Sequence, residues 1–148
     1  VKIPRSVLVL IHTDALQVLM MERVGPAGFW QSVTGSLAQE GESWLECAVR
    51  EVREETSIDC SPVDLLDWQL EHQFEIHPRW ASRYASGVKH NTEHVFSLVV
   101  PLHQAIRLNP SEHLRWQWLP WSMAADLTFS WTNALAIRQL PERIGFKV

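Results

Sequence analysis

Four charged residues close together carry the chemistry of this chain: Arg50, Glu51, Glu54 and Glu55, within the stretch GSLAQEGESWLECAVREVREETSI from Gly35 to Ile58. At about 100° per residue, a helix through them crowds Glu51, Glu54 and Glu55 on one side. Like charges at i, i+3 and i, i+4 repel by a few tenths of a kcal/mol per pair. A hard divalent cation removes that repulsion. Carboxylate oxygens are the ligands Mg²⁺ prefers, and Mg²⁺ leaves room in its shell for substrate phosphates. The alternative is a solvated acidic face with ordinary Arg–Glu pairs.

The element that must position these residues is an amphipathic helix from about Ser43 to Thr56. Leu45, Ala48, Val49 and Val52 form its apolar stripe. Ser43 occupies the N-cap position and Glu46 completes a capping box. The spacing resembles the Nudix hydrolase box, G-x5-E-x7-R-E-U-x-E-E-x-G-U with U a bulky aliphatic residue. Gly35, Glu42, Arg50, Glu51, Val52, Glu54, Glu55 and Ile58 match it. One extra residue separates Gly35 from Glu42, in a loop where length changes are tolerated. Ser57 stands where the pattern has a glycine, which serves as a left-handed cap.

Further segments resemble one subgroup of that family. They are FWQSVTGS (Phe29–Ser36), FEI (Phe74–Ile76), RYASGVKHNTEHVF (Arg83–Phe96), SEHLRWQWL (Ser111–Leu119) and LTFSWTNALAI (Leu127–Ile137). That resemblance implies an enzyme of folate biosynthesis that hydrolyses dihydroneopterin triphosphate to the monophosphate and pyrophosphate. It implies metal ligation by Glu51, Glu55 and Glu112, with Glu54 as an additional ligand and Mg²⁺, or Mn²⁺, as the ion. It also implies substrate contacts from Lys2, Arg23, Thr34, Phe74, Glu75, Ile76, His77, His113 and Ser130. Two or more metal ions would neutralise the triphosphate and position water. Glu112 leads as the base, with Glu54 second, while Arg50 orients a neighbouring Glu and Glu42 supports the loop. Two other readings stay open: a Nudix enzyme that clears nucleoside triphosphates, and a Nudix-fold binding module without catalysis.

The remaining elements are read from pattern. Ser6–His12 and Val18–Met21 form a hairpin of buried strands around Thr13-Asp14. Phe29–Val33, Leu65–Ile76, His94–Pro101, Ala105–Leu108 and Leu114–Leu119 are further strands, with Leu66, Trp68 and Leu70 on one side of the second. His77–His90 is an irregular insertion. Met123–Leu127 is a helical turn, and a last helix capped by Ser130 or Thr132 ends at Pro141. This order predicts a layered α/β sandwich with a mixed sheet in one domain, residues 1–148. The family resemblance implies the same fold, a Nudix-type α/β/α sandwich.

Bulk properties narrow the function classes. A chain of 148 residues holds one sizeable core. A net charge of −4 argues against a broad nucleic-acid-binding surface but permits a small phosphate-bearing substrate. No apolar run is long enough to cross a membrane, and no signal-peptide pattern is visible. Cys47 and Cys60 form no CxxC, and a reducing cytoplasm fits them. A monomer or small homo-oligomer is expected. Most of the eight tryptophans are expected in the core or at subunit contacts, with one or two free to stack on a planar heterocycle. His90–His94 spells H-x-x-E-H, but that zinc motif needs a helix and this segment leads into a strand pattern.

Overall fold

The computed structural model describes residues 1–145. A seven-stranded mixed sheet is built from β1 (Arg5–His12), β2 (Gln17–Arg23), β3 (Trp30–Gln31), β4 (Val33–Ser36), β5 (Leu65–Glu75), β6 (His90–Val99) and β7 (His113–Pro120). The strand order is β3-β2-β1-β6-β5, with β4 also pairing with β1 and β7 with β2. β1 and β6 run parallel in continuous register from Arg5↔Thr92 to His12↔Val99. The other pairings are antiparallel.

Helix α1 (Trp44–Thr56) covers one face of the sheet. Helices α2 (Trp121–Leu127) and α3 (Trp131–Arg143) cover the other. The period-2 alternation of β1 explains this arrangement. Val7, Val9 and Ile11 face α1 with Ala48 and Val52, while Leu8 and Leu10 face α3 with Ile137 and Leu140. A strand buried on both faces reads as a continuous apolar run, as β1 does. The result is the expected α/β/α sandwich.

Several local readings change. Phe29–Val33 is not one strand: β3 and β4 break at Ser32, whose N–H is taken by the Asn133 side chain at 2.9 Å. Leu65, not Leu66, is buried in β5, and Leu66 is 47% exposed. A register shift between Asp67 and Glu71, with Gln69 at φ 51°, re-aims the strand. β6 starts at His90, four residues earlier than the pattern indicates. The H-x-x-E-H segment therefore lies on a strand. Ala105–Leu108 is not a strand, although Arg107 N–H donates to the Thr56 carbonyl at 2.9 Å. Pro141 lies inside α3 rather than ending it. It removes one i→i−4 bond, and only Glu142 and Arg143 of the helix follow it. Of the tryptophans only Trp30 and Trp68 are buried, and Trp116 and Trp131 are exposed.

Candidate active site

The acidic box folds around Arg50. Ser43 caps α1 with both capping-box bonds formed, at 3.0 Å and 2.9 Å. Arg50 then bridges three carboxylates. Its Nε and Nη2 grip both Glu42 oxygens, at 2.8 Å and 2.9 Å, and its Nη1 donates to Glu51 Oε1 at 2.6 Å. It also reaches Glu54 at 3.2 Å and the Ser36 carbonyl at 3.0 Å. The paired hydrogen bonds hold the Glu42 carboxyl down at about 2. Glu42 in turn accepts the Ala38 N–H at 2.8 Å, fixing the entry loop despite its extra residue.

Glu51 and Glu55 point inward as a coupled pair. Glu51 is 8% exposed and Glu55 only 2%. Burial raises both carboxyls, Glu55 well above the ordinary range, where the nearby Glu51 charge adds to the rise. Glu112, on the turn before β7, adds its charge to Glu55. Gly35 is what lets Glu51 sit here. A Cβ at Gly35 would stand 2.0 Å from Glu51 Cδ. Glu54 instead turns to solvent, with its side chain 49% exposed.

Beside Gly35 opens a cavity of about 460 Å³ whose wall includes Thr34 and Gly35, while Glu51, Glu55 and Glu112 lie outside its lining. Three cations gather at that end: Lys2, Arg23 and Arg83. Burial and their mutual repulsion lower Lys2 and Arg23 from their ordinary values, while Glu55, Glu51 and Glu112 oppose the shift. Lys2 is fixed by its N–H to the Arg83 carbonyl at 2.7 Å, and Arg23 lies over the Trp80 ring at 4.9 Å. The other end is aromatic, with Phe74, Phe129 and Trp131 in its walls. Phe129 stacks on Phe29 at 4.7 Å.

A family profile described as the NUDIX domain matches residues 2–140. The chain belongs to the Nudix family. It is 45% identical to the dihydroneopterin triphosphate diphosphatase of Escherichia coli (strain K12) over 93% of this chain and 92% of that one. The corresponding protein of Haemophilus influenzae (strain ATCC 51907 / DSM 11121 / KW20 / Rd) is 38% identical over 91% and 85%. The solved structure of the E. coli dihydroneopterin triphosphate pyrophosphohydrolase superposes with a TM-score of 0.86 at 45% identity, covering 93% of this chain and 94% of that chain.

Nudix hydrolases generally use divalent metal ions, and the donors here fit one. Glu55 Oε1 is buried without a hydrogen-bond partner. Glu51 is a second inward carboxylate, and the exposed Glu112 acts on Glu55 through its charge; all three are hard oxygen donors. Among the described residues no three His, Cys, Asp or Glu side chains converge closely enough to hold an ion unaided. A cation there would complete its shell from water and substrate oxygens, as Mg²⁺ commonly does.

The expected substrate contacts divide in two. Lys2, Arg23, Thr34, Phe74, Glu75, Ile76, His77 and Ser130 all line the cavity. His113 is 3% exposed and lies behind Glu55, its Nε2 3.9 Å from Oε1; it is not on the cavity wall. Burial holds its imidazole down at about 4, with Arg23 adding to the effect. Arg83, Trp80, Asn91, Glu93, Trp131 and Asn133 also line the cavity and were not singled out as contacts by the sequence reading. Ser130 and Asn133 had a visible signal in SWTN. Ser130 caps α3, and Asn133 bonds Ser32 twice, at 2.9 Å and 3.0 Å, locking α3 to the strand break.

Proposed function

We propose that this chain, acting as one catalytic domain with bound Mg²⁺, hydrolyses dihydroneopterin triphosphate to dihydroneopterin monophosphate and pyrophosphate. Mn²⁺ is the expected substitute. The observation that carries the reading is a cavity next to the buried carboxylates. Its wall holds Gly35, against which Glu51 packs, the cations Lys2, Arg23 and Arg83, and the aromatic rings of Phe74, Phe129 and Trp131. The names of the relatives at 45% and 38% identity support the pterin over a nucleotide.

In this reading Glu51, Glu55 and Glu112 hold the metal. When bound, it neutralises phosphate oxygens, activates water and stabilises the leaving pyrophosphate. Lys2, Arg23 and Arg83 clamp the triphosphate, with bidentate geometry available to the arginines. Arg50 keeps Glu51 aimed inward, and the rigid Glu42–Arg50 pair keeps Arg50 in place. Glu112 takes the proton of the attacking water; Glu54, turned to solvent beside Arg50, is less well placed to do so. Phe74 and Phe129 hold the ring, and Ser130 contacts the substrate from the start of α3.

The test is pyrophosphate release from dihydroneopterin triphosphate and a panel of nucleoside triphosphates, with and without Mg²⁺. The pterin should be preferred and its turnover should depend on the metal. A clear preference for a nucleotide rejects the assignment in favour of a nucleotide-clearing Nudix enzyme. No turnover of anything favours the binding module.

A further inference from the structure

Two acceptors in the wall of the cavity have no role in the chemistry above. Asn91 and Glu93 are alternate residues of β6, so both face the cavity while His94 faces α1. Asn91 is 2% exposed and Glu93 4%. Asn91 Nδ2 donates to Ser6 Oγ at 2.7 Å, and its Oδ1 has no partner. Glu93 Oε1 has none either. The near basic group is His72, whose Nδ1 is 3.9 Å from Glu93 Oε1, beyond hydrogen-bond distance, and is itself unpartnered. Buried polar atoms left in this state are few in natural proteins, and each calls for an explanation. Here both open acceptors belong to a cavity wall beside Phe74, Phe129 and Trp131. Such a wall suits a flat ring that presents N–H groups on its edge.

We propose that Glu93, with Asn91 next to it, reads the donor edge of a 2-amino-4-oxopyrimidine ring. That ring places a ring N–H beside an exocyclic amino group, two parallel donors that match the two oxygens of one carboxylate. Pterins and guanine carry this edge. Hypoxanthine lacks the amino group, and adenine lacks the ring N–H. The proposal rests on the cavity being the substrate site and names the residue that selects the ring. Glu93 is here a specificity-determining residue, remote from the reacting phosphates.

The experiment compares kcat/KM for dihydroneopterin triphosphate, GTP and ITP in the wild type and in Glu93→Gln. ITP is GTP without the amino group. A charge-assisted pair of this kind is worth on the order of 10- to 100-fold. The variant should lose about that factor on the pterin and on GTP, lose less on ITP, which keeps only the ring N–H, and so bring the GTP-to-ITP ratio towards one. If GTP and ITP fall by the same factor, leaving their ratio unchanged, Glu93 is merely structural and the proposal is overturned.

A second measurement needs no variant. Wild-type protein should bind neopterin at least about tenfold more tightly than the analogue with oxygen in place of the 2-amino group. Equal binding overturns the proposal. Poor turnover of the pterin triphosphate together with a ratio that responds to Glu93→Gln would sink the substrate assignment and leave the edge reading intact. Good pterin turnover with an unmoved ratio would do the reverse.

Discussion

The carboxylate half of the candidate site and the cavity beside it are built in opposite ways. At the carboxylate end, Glu42, Arg50, Glu51 and Glu55 come from one run of fourteen residues, 42–55, and Arg50 ties Glu42, Glu51 and Glu54 together. At the ring end, Phe74, Glu93, Phe129 and Trp131 come from β5, β6 and the region around the start of α3. The first end is pre-organised by local hydrogen bonds and so holds charge in a fixed geometry. The second is an assembly of tertiary neighbours with acceptors left open. In the proposed reading, reaction type is carried by the local half and substrate choice by the assembled one, a division that would let one kind of box serve many ring systems.

The largest effect that separates the ends is expected from Glu55→Gln. Pyrophosphate release should fall on the order of 10²- to 10³-fold, the scale of losing one electrostatic anchor. Ring binding, read with neopterin, should be unchanged. Because Glu55 is deeply buried and burial raises its carboxyl well above the ordinary range, disfavouring its charge, a neutral amide should leave the thermal midpoint unaltered or raised. Unchanged turnover would remove Glu55 from the site. Weakened neopterin binding would show that the ends are not independent.

Next comes Gly35→Ala. The added methyl would lie 2.0 Å from Glu51 Cδ, so the carboxylate must move. Displacement of a catalytic group by about 1 Å can cost 10²-fold. We expect a loss of about that size in kcat, with neopterin binding retained. A variant as active as the wild type would mean that Glu51 has slack the packing does not suggest.

Glu42→Gln probes the support beneath the reacting groups. It should reduce stability by about 1–3 kcal/mol, since it removes a charge-assisted bidentate pair. The sign with pH follows from the Glu42 carboxyl being held at about 2, below its unfolded value. Its contribution is fully present above the unfolded pKa and is lost as pH falls through about 2. The wild type should therefore exceed the variant in denaturant midpoint at pH 7, and the gap should close in acid. A constant gap would place the stabilisation elsewhere.

What the sequence disclosed follows the same division. Local spacing suffices for α1, its capping box and the inward stripe, because every partner lies within a few turns. It also suffices for the two-faced burial of β1. It does not foresee the bulge at Gln69, which moves burial from Leu66 to Leu65, since a bulge adds a residue without breaking the hydrophobic run. Arg83, Asn91 and Glu93 were not legible as a set, because the parallel β1–β6 pairing and the Lys2–Arg83 contact create their proximity. His113 carries a related lesson. Its neighbour Glu112 is exposed, and alternation at the start of β7 turns His113 into the interior.

The smallest effect concerns Ser57, the one departure from the family pattern at the end of α1. Ser57 adopts φ 64°, the left-handed conformation that glycine takes without strain, and its N–H caps the Arg53 carbonyl at 2.9 Å. A side chain there costs on the order of 1 kcal/mol. The serine hydroxyl offsets this by donating to the Arg107 carbonyl at 2.9 Å, a bond worth roughly 0.5–1.5 kcal/mol. Arg107 N–H meanwhile donates to the Thr56 carbonyl, so the 101–112 segment is pinned to the helix end from both sides. Ser57→Gly relieves the strain and deletes the bond together, and the two should cancel to within about 0.5 kcal/mol in chemical denaturation. Ser57→Ala keeps the strained conformation and loses the bond, so it should be the less stable of the two variants. A stabilisation above about 1 kcal/mol in Ser57→Gly would mean that the hydroxyl contributes nothing and that the missing glycine is a plain cost to the helix.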